Sequence, residues 1–340
     1  MIKFDLRIGN CLKVLQELPD NYFHTCVTSP PYWGLRDYGT GKWVGGDVNC
    51  PHKRTTKIGK TVKTITGHQG MYDQGSVVGD AIYKSVCPKC GAVRSDEQLG
   101  LEETPELYIS NLVSVFAEVH RVLRNDGTVW VNLGDTYGKE KGLIGIPWKF
   151  AFAMQEFGWY LRQDIIWHKP NPMPESVRDR CTKSHEYIFL LSKNRKYYYD
   201  NEAIKEPAKD WGTRDRTKGK YHNEGTGLQP HSGLTKSYPT KNKRSVWSVT
   251  NKPYREAHFA TYPPDLIEPC ILAGSEKGDI ILDPFMGSGT TAAVAKALGR
   301  DYIGCELHED YGNLIQKRVQ EYQPVQKVAQ EPTINILDII

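Results

Sequence analysis

The chain has 340 residues, 39% hydrophobic and 25% charged, with a formal net charge of +4. That length is enough for a sizeable core and short for three domains, and the balance is that of a folded globular protein, which excludes an intrinsically disordered chain. No run approaches the ~20 apolar residues of a membrane span, and the start, Met1-Ile2-Lys3-Phe4-Asp5-Leu6-Arg7, carries no apolar signal core, so the expectation is a cytoplasmic protein with no membrane partner.

Asp5–Asn10 reads as a short strand and turn. Cys11 to Leu18 places Leu12, Leu15 and Leu18 at helical spacing, and Pro19-Asp20-Asn21 breaks it. Phe23–Val27 is a buried strand that runs into Thr28-Ser29-Pro30-Pro31-Tyr32-Trp33-Gly34. Two consecutive prolines fix φ and remove two backbone donors. Pro30 also pushes Ser29 toward an extended conformation. The carbonyls of Ser29, Pro30 and Pro31 are then acceptors beside the aromatic plate of Tyr32, a stiff polar edge suited to the exocyclic amine of a flat base. Taken alone, the same stretch reads first as a proline-braced turn with two core aromatics.

From Leu35 to about Gly100 no sustained period is visible. This stretch holds Cys50-Pro51-His52 and Cys87-Pro88-Lys89-Cys90-Gly91. The eight cysteines of the chain are scattered, and in a reducing compartment clustered ones are better metal ligands than disulfides. Cys50, His52, Cys87 and Cys90 supply four soft or borderline donors, the number that a tetrahedral structural zinc takes. A metal there would staple an insertion with too little apolar surface to fold alone. The plainer alternative is a lone CxxC turn with His52 on the surface.

Thr104-Pro105-Glu106 is a helix start, with Thr as N-cap and Pro at the first helical position. Leu112, Phe116, Val119 and Leu123 line one face of that helix, which Asn125-Asp126-Gly127 is expected to end. Thr128–Leu133 is a buried strand leading to Gly134-Asp135. A helix follows Pro147, a strand covers Asp164–Trp167, and Glu186–Leu191 is a further apolar strand. Residues 193–255 hold 15 Lys and Arg against six Asp and Glu, a local +9 that leaves −5 for the rest. A basic middle with interleaved Trp211, Tyr221 and Trp247 points to a polyanion-binding face, or to a solvated lysine-rich loop. Thr261–Leu272 opens another helix, Asp279–Asp283 is a strand, Ala292–Leu298 a helix, Asp301–Glu306 a strand and Asp310–Val319 a final helix. Alternating strands and helices predict an α/β fold.

Asp283-Pro284-Phe285-Met286-Gly287-Ser288-Gly289-Thr290-Thr291 reads as strand, glycine turn and helix. Its glycines let the backbone pass close to a ligand, and the helix N-terminus presents free N–H groups. About 20 residues further on, Glu306 ends the next strand, where a carboxylate can take a ribose diol. The ligand is nucleoside-like. No GxxxxGK[ST] marks a triphosphate site, and the turn lacks the third glycine of a dinucleotide fingerprint.

The pair TSPPY and DPFMGSGTT resembles the catalytic and cofactor motifs of the S-adenosylmethionine-dependent DNA amino-methyltransferases. Their order, with the catalytic motif first and a basic segment between, is similar to the permuted, β-type group. Gly127–Asp135, Ile165–Lys169 and Phe259–Leu266 also match family blocks. The resemblance implies a Rossmann-like methyltransferase sheet with helices on both faces, plus the zinc-stapled insertion and a basic target-recognition segment. It divides the chain into a catalytic half (1–34 and 101–172), the insertion (35–100), a target-recognition region (173–262), a cofactor-binding half (263–323) and a tail (324–340).

By the same resemblance Ser29, Pro30 and Pro31 accept from the target amine and Tyr32 stacks on a flipped base. Asn10, Thr28, Asp283, Phe285, Gly287, Ser288, Gly289 and Thr290 surround the cofactor, and Glu306 holds its ribose. Asn10 departs from the family's usual Asp. No covalent intermediate is needed, so no cysteine nucleophile is expected. Ser in the first position resembles the N4-cytosine enzymes, with N6-adenine as the alternative. Double-stranded DNA is the implied partner, and the resemblance leaves a cognate restriction endonuclease and a homodimer open. The competing non-enzymatic expectation is a zinc-containing nucleic-acid-binding protein on a decayed scaffold.

Overall fold

The computed structural model describes residues 4–54, 81–82, 86–208, 239–251 and 261–324. In chain order the elements are β1 (Phe4–Ile8), α1 (Cys11–Gln16), β2 (Phe23–Thr28), β3 (Lys42–Val44), β4 (Lys53–Arg54), β5 (Ala81–Ile82), β6 (Val93–Ser95), α2 (Pro105–Val122) and β7 (Leu123–Leu133). They continue with α3 (Ile146–Phe157), β8 (Tyr160–His168), β9 (His185–Ser192), β10 (Glu206–Pro207), β11 (Thr240–Lys241), β12 (Val246–Ser248), α4 (Pro264–Gly274), β13 (Ile280–Asp283), α5 (Thr290–Ala297), β14 (Asp301–Glu306) and α6 (Tyr311–Glu321). Trp211 and Tyr221 lie outside the described residues.

Chain contacts separate two compact units, Asp37–Gln98 and the remainder. The larger unit is built on an eight-stranded sheet in the order β1-β14-β13-β2-β7-β9-β8-β12. β9 runs antiparallel to both neighbours, and the other pairings are parallel. The period-2 alternation of β7 shows how both faces are covered. Val129, Val131 and Leu133 pack with Leu15, Leu112, Phe116 and Phe150 of α1, α2 and α3. Trp130, with Val27 of β2, packs with Leu266, Ile271, Val294 and Ile315 of α4, α5 and α6. The expected α/β sheet with helices on both faces is therefore present.

One boundary differs from the sequence expectation. Asn125-Asp126-Gly127 does not end a helix. α2 stops at Val122, and β7 begins at Leu123 and runs through these residues. The partner of Phe23 is Leu123, while that of Thr25 is Thr128, so the three residues form a register shift inside the strand pair. The range 173–262, expected as a target-recognition region, also supplies part of the sheet. Its β9 lies between β7 and β8, and its β12 adds an edge strand with Trp247 buried. The smaller unit, Asp37–Gln98, falls close to the expected insertion 35–100.

Candidate active site

The sheet order reverses between β13 and β2: the chain leaves β13 toward β14 and leaves β2 toward β7. The carboxyl ends of parallel strands at such a switch point form a crevice. The proline turn leaves β2 there and the glycine turn leaves β13 beside it. Ile281 and Leu282 pair with Thr25 and Cys26.

Asp283 ties the two turns together. It is 1% exposed. Its Oδ1 accepts from Thr28 Oγ1 at 2.6 Å and from the Phe285 N–H at 3.0 Å. Its Oδ2 accepts from Thr291 Oγ1 at 2.5 Å and Tyr262 Oη at 3.2 Å. Burial pushes the carboxyl up to about 6, against the pull of these donors. Asp283 and Thr28, expected to face the cofactor, thus face each other and hold the strand ends in register. Phe285 packs its side chain against the core.

The glycine turn is shaped by the acid that follows it. Glu306 accepts the Gly287 N–H on Oε2 at 2.7 Å and the His308 N–H on Oε1 at 2.9 Å. A carboxylate has about four lone-pair sites, so these contacts leave acceptor capacity for a diol hydroxyl. Burial raises this carboxyl to about 7, with the backbone N–H groups of His308, Gly287 and Leu307 opposing. Gly289 caps α5 at φ +81°, and a Cβ there would lie 3.2 Å from Ile315 Cα, so only glycine fits. Ser288 Oγ is engaged by Arg318, and Thr290 is buried in the first turn of α5. Asn10 caps α1, its Oδ1 accepting from the N–H groups of Leu12 and Lys13 at 3.0 and 3.3 Å. The preceding Gly9 N–H reaches the Glu306 carbonyl at 2.8 Å, which keeps Asn10 at this end of the sheet.

On the catalytic side, Ser29 is half-buried and Pro30 buried. The Pro31 carbonyl, expected to be free, accepts from Tyr108 Oη at 2.7 Å. Of the three expected acceptor carbonyls, that of Pro31 is thus engaged within the protein. The Tyr32 hydroxyl faces Glu186 Oε2 at 2.7 Å and Asn132 Oδ1 at 3.0 Å. Burial, then the neighbouring Glu186, holds this phenol well above its usual range, so it is a proton donor. A Cβ on Gly134 would sit 2.6 Å from the Tyr32 ring, so the ring lies directly on backbone. Asn132, Glu186, Tyr108 and Tyr262 were not singled out by motif. Asn132 and Tyr262 fall in the matched blocks Gly127–Asp135 and Phe259–Leu266, and the signal for Glu186 was a charged residue opening the apolar run Glu186–Leu191.

In the smaller unit Cys50, His52, Cys87 and Cys90 place their donor atoms within 4.8 Å of one another. Cys50 Sγ lies 3.7 Å from Cys87 Sγ, and Cys90 Sγ lies 3.5 Å from His52 Nδ1. A regular tetrahedron with Zn–S bonds of ~2.3 Å has an edge of ~3.8 Å. The Gly91 N–H turns back to the Cys87 carbonyl at 2.8 Å, folding the CPKCG loop around its thiols. Trp43 stacks on His52 with ring centroids 4.4 Å apart. These four residues fit a structural zinc ion.

The model of the DNA methylase family that joins N6- and N4-methyltransferases matches residues 23–317. The chain belongs to this family. It is 38% identical to the type II methyltransferase M.Cfr9I of Citrobacter freundii, over 92% of this chain and 86% of the relative. It is 37% identical to M.SmaI of Serratia marcescens, over 92% and 89%. Among solved structures, the PvuII cytosine-N4-specific DNA methyltransferase superimposes with a TM-score of 0.58 at 17% identity, covering 93% of this chain and 86% of the other. A Thermus thermophilus protein described as a putative DNA modification methylase, solved with S-adenosyl-L-methionine, gives 0.52 at 21%, covering 94% and 98%. At these identities the structures show the shared fold. Among the described residues no helix is long and apolar enough to cross a membrane.

Proposed function

We propose that this DNA methyltransferase moves a methyl group from S-adenosylmethionine to N4 of a cytosine flipped out of double-stranded DNA. The observation that carries this is the junction at Asp283, which sets Ser29–Tyr32 and Gly287–Glu306 on adjoining strand ends. When bound, S-adenosylmethionine supplies an electrophilic sulfonium methyl. Glu306 offers its remaining acceptor capacity to the ribose diol, and the glycine turn admits the cofactor close to the backbone. Ser29 Oγ and the Pro30 carbonyl accept the amine hydrogens and expose the nitrogen lone pair. The Tyr32 ring supports the extruded base, whose unstacking costs a few kcal/mol.

Ser29 and the likeness to the PvuII enzyme support cytosine N4 over adenine N6. The basic residues of 193–255 support phosphate contact, and type II relatives support a cytoplasmic modification enzyme beside a restriction endonuclease. The zinc ion closes the smaller unit. Purified protein is expected to transfer labelled methyl from S-adenosylmethionine to unmethylated DNA, and the hydrolysate to contain N4-methylcytosine. N6-methyladenine would replace the cytosine assignment. No transfer to any DNA would leave only a binding protein. Ser29→Ala is expected to lose most of the activity.

A further inference from the structure

The Tyr32 hydroxyl is held by two side chains, Asn132 at 3.0 Å and Glu186 at the shorter 2.7 Å. Glu186 is the second residue of β9. That carboxylate is held from other directions as well. Lys169 Nζ makes an ion pair with Oε1, and Asn132 Nδ2 donates to Oε2 at 3.2 Å and to the Tyr187 carbonyl at 3.1 Å. Lys169 is itself fixed, its ammonium 4.2 Å from the centroid of the Trp167 ring and its N–H on the Ser184 carbonyl at 2.8 Å. The Lys169 and Glu186 side chains are each only 16% exposed. A mostly buried ion pair adds little net stability, because desolvation offsets the attraction. Its geometric effect is larger: an ionised, immobilised acceptor takes the phenol proton in a charge-assisted bond. The ring edge rests on Gly134, where a Cβ would come within 2.6 Å. With one edge against backbone and the hydroxyl tethered, the plane of the ring is set.

We infer that Glu186, held by Lys169, is a positioning residue that fixes the plane of the Tyr32 ring against which the target base lies. The inference rests on the proposed base-stacking role of Tyr32. Glu186 contacts Tyr32, Asn132 and Lys169, and on this inference it acts on turnover through Tyr32. A misplacement of order ~1 Å at the reacting centre costs about 100-fold.

The test measures methyl transfer to unmethylated plasmid DNA by wild type, Tyr32→Ala, Tyr32→Phe, Glu186→Ala, Glu186→Gln and the Tyr32→Phe/Glu186→Ala double variant. Glu186→Ala and Tyr32→Phe are each expected to lower kcat about 10- to 100-fold, with KM for S-adenosylmethionine within about twofold of wild type. The double variant is expected to be no slower than the worse single one, because both cut the same link. Glu186→Gln keeps an acceptor and is expected to recover most of the rate, which a merely structural defect would not predict. Wild-type kcat in Glu186→Ala or Tyr32→Phe, or multiplicative losses in the double variant, overturn the inference. Should Glu186→Ala fail to fold, Tyr32→Phe is compared with Asn132→Ala, because the hydroxyl also reaches Asn132: a larger loss in Tyr32→Phe supports the Glu186 link, and an equal loss overturns it. If the wild type is active and Tyr32→Ala loses nothing, the stacking role fails, and the inference with it. Loss in Tyr32→Ala with wild-type kcat in Tyr32→Phe sinks the inference alone.

Discussion

Glu306 makes stability depend on pH, and in its proposed ribose-binding role it makes cofactor affinity depend on pH in the opposite direction. Its carboxyl sits at about 7 in the fold, against an ordinary value of 4.5. The unfolded chain gives up this proton first, so between those values the folded state binds more protons and stability falls as pH rises. The contribution is fully present below about 4.5 and gone above about 7. At ~1.36 kcal/mol per unit the shift amounts to about 3 kcal/mol. In the proposed site the ribose hydroxyls would donate to the ionised form, so binding gains what folding loses. With a folded value of about 7, the ionised fraction rises about 30-fold between pH ~5.5 and ~8, and the Kd for S-adenosylmethionine is expected to fall by that factor, then level off. Calorimetric titration across this range reads it directly. Glu306→Gln is expected to flatten the curve and to remove about 3 kcal/mol from the stability difference between pH ~5 and ~8 in urea. A Kd independent of pH in the wild type, or the same slope in Glu306→Gln, would refute the reasoning.

Three further outcomes follow from single contacts. Gly134→Ala pushes a methyl group into the Tyr32 ring and is expected to destabilise by about 1–3 kcal/mol in urea melts, with a loss of kcat that exceeds the change in KM. Asp283→Ala leaves the buried Thr28 hydroxyl and Phe285 N–H without their acceptor, at about 1–3 kcal/mol each. Part of that is returned by removing a buried charge, so a net loss of about 1–4 kcal/mol is expected, and a neutral variant would show that the junction is dispensable. Plasma mass spectrometry of the purified chain is expected to find one zinc per molecule and none in a Cys87→Ser/Cys90→Ser variant; a metal-free wild type would dispose of the zinc proposal.

What the sequence determined by itself is the local chemistry. Pro30-Pro31 is stiff wherever it falls, Gly287-Ser288-Gly289 turns on backbone freedom, Thr104 caps the helix that follows, and Cys87-Pro88-Lys89-Cys90-Gly91 sets two thiols in one turn. Each of these effects acts over a few residues, and the motifs built on them survive any tertiary arrangement. What only the tertiary structure decided is which distant groups meet. Asp283 was expected to face a ligand, but the strand order sets its carboxylate against Thr28 and Tyr262. The Pro31 carbonyl was expected to be free until α2 brought Tyr108 to it. Asn125-Asp126-Gly127 has the composition of a turn, yet the pull of two paired strands carries β7 through it. Glu186 opens an apolar run like any edge charge, and only the insertion of β9 between β7 and β8 brings its carboxylate to the Tyr32 hydroxyl. Pairing and register arise from the whole hydrophobic core, which no window of neighbouring residues contains.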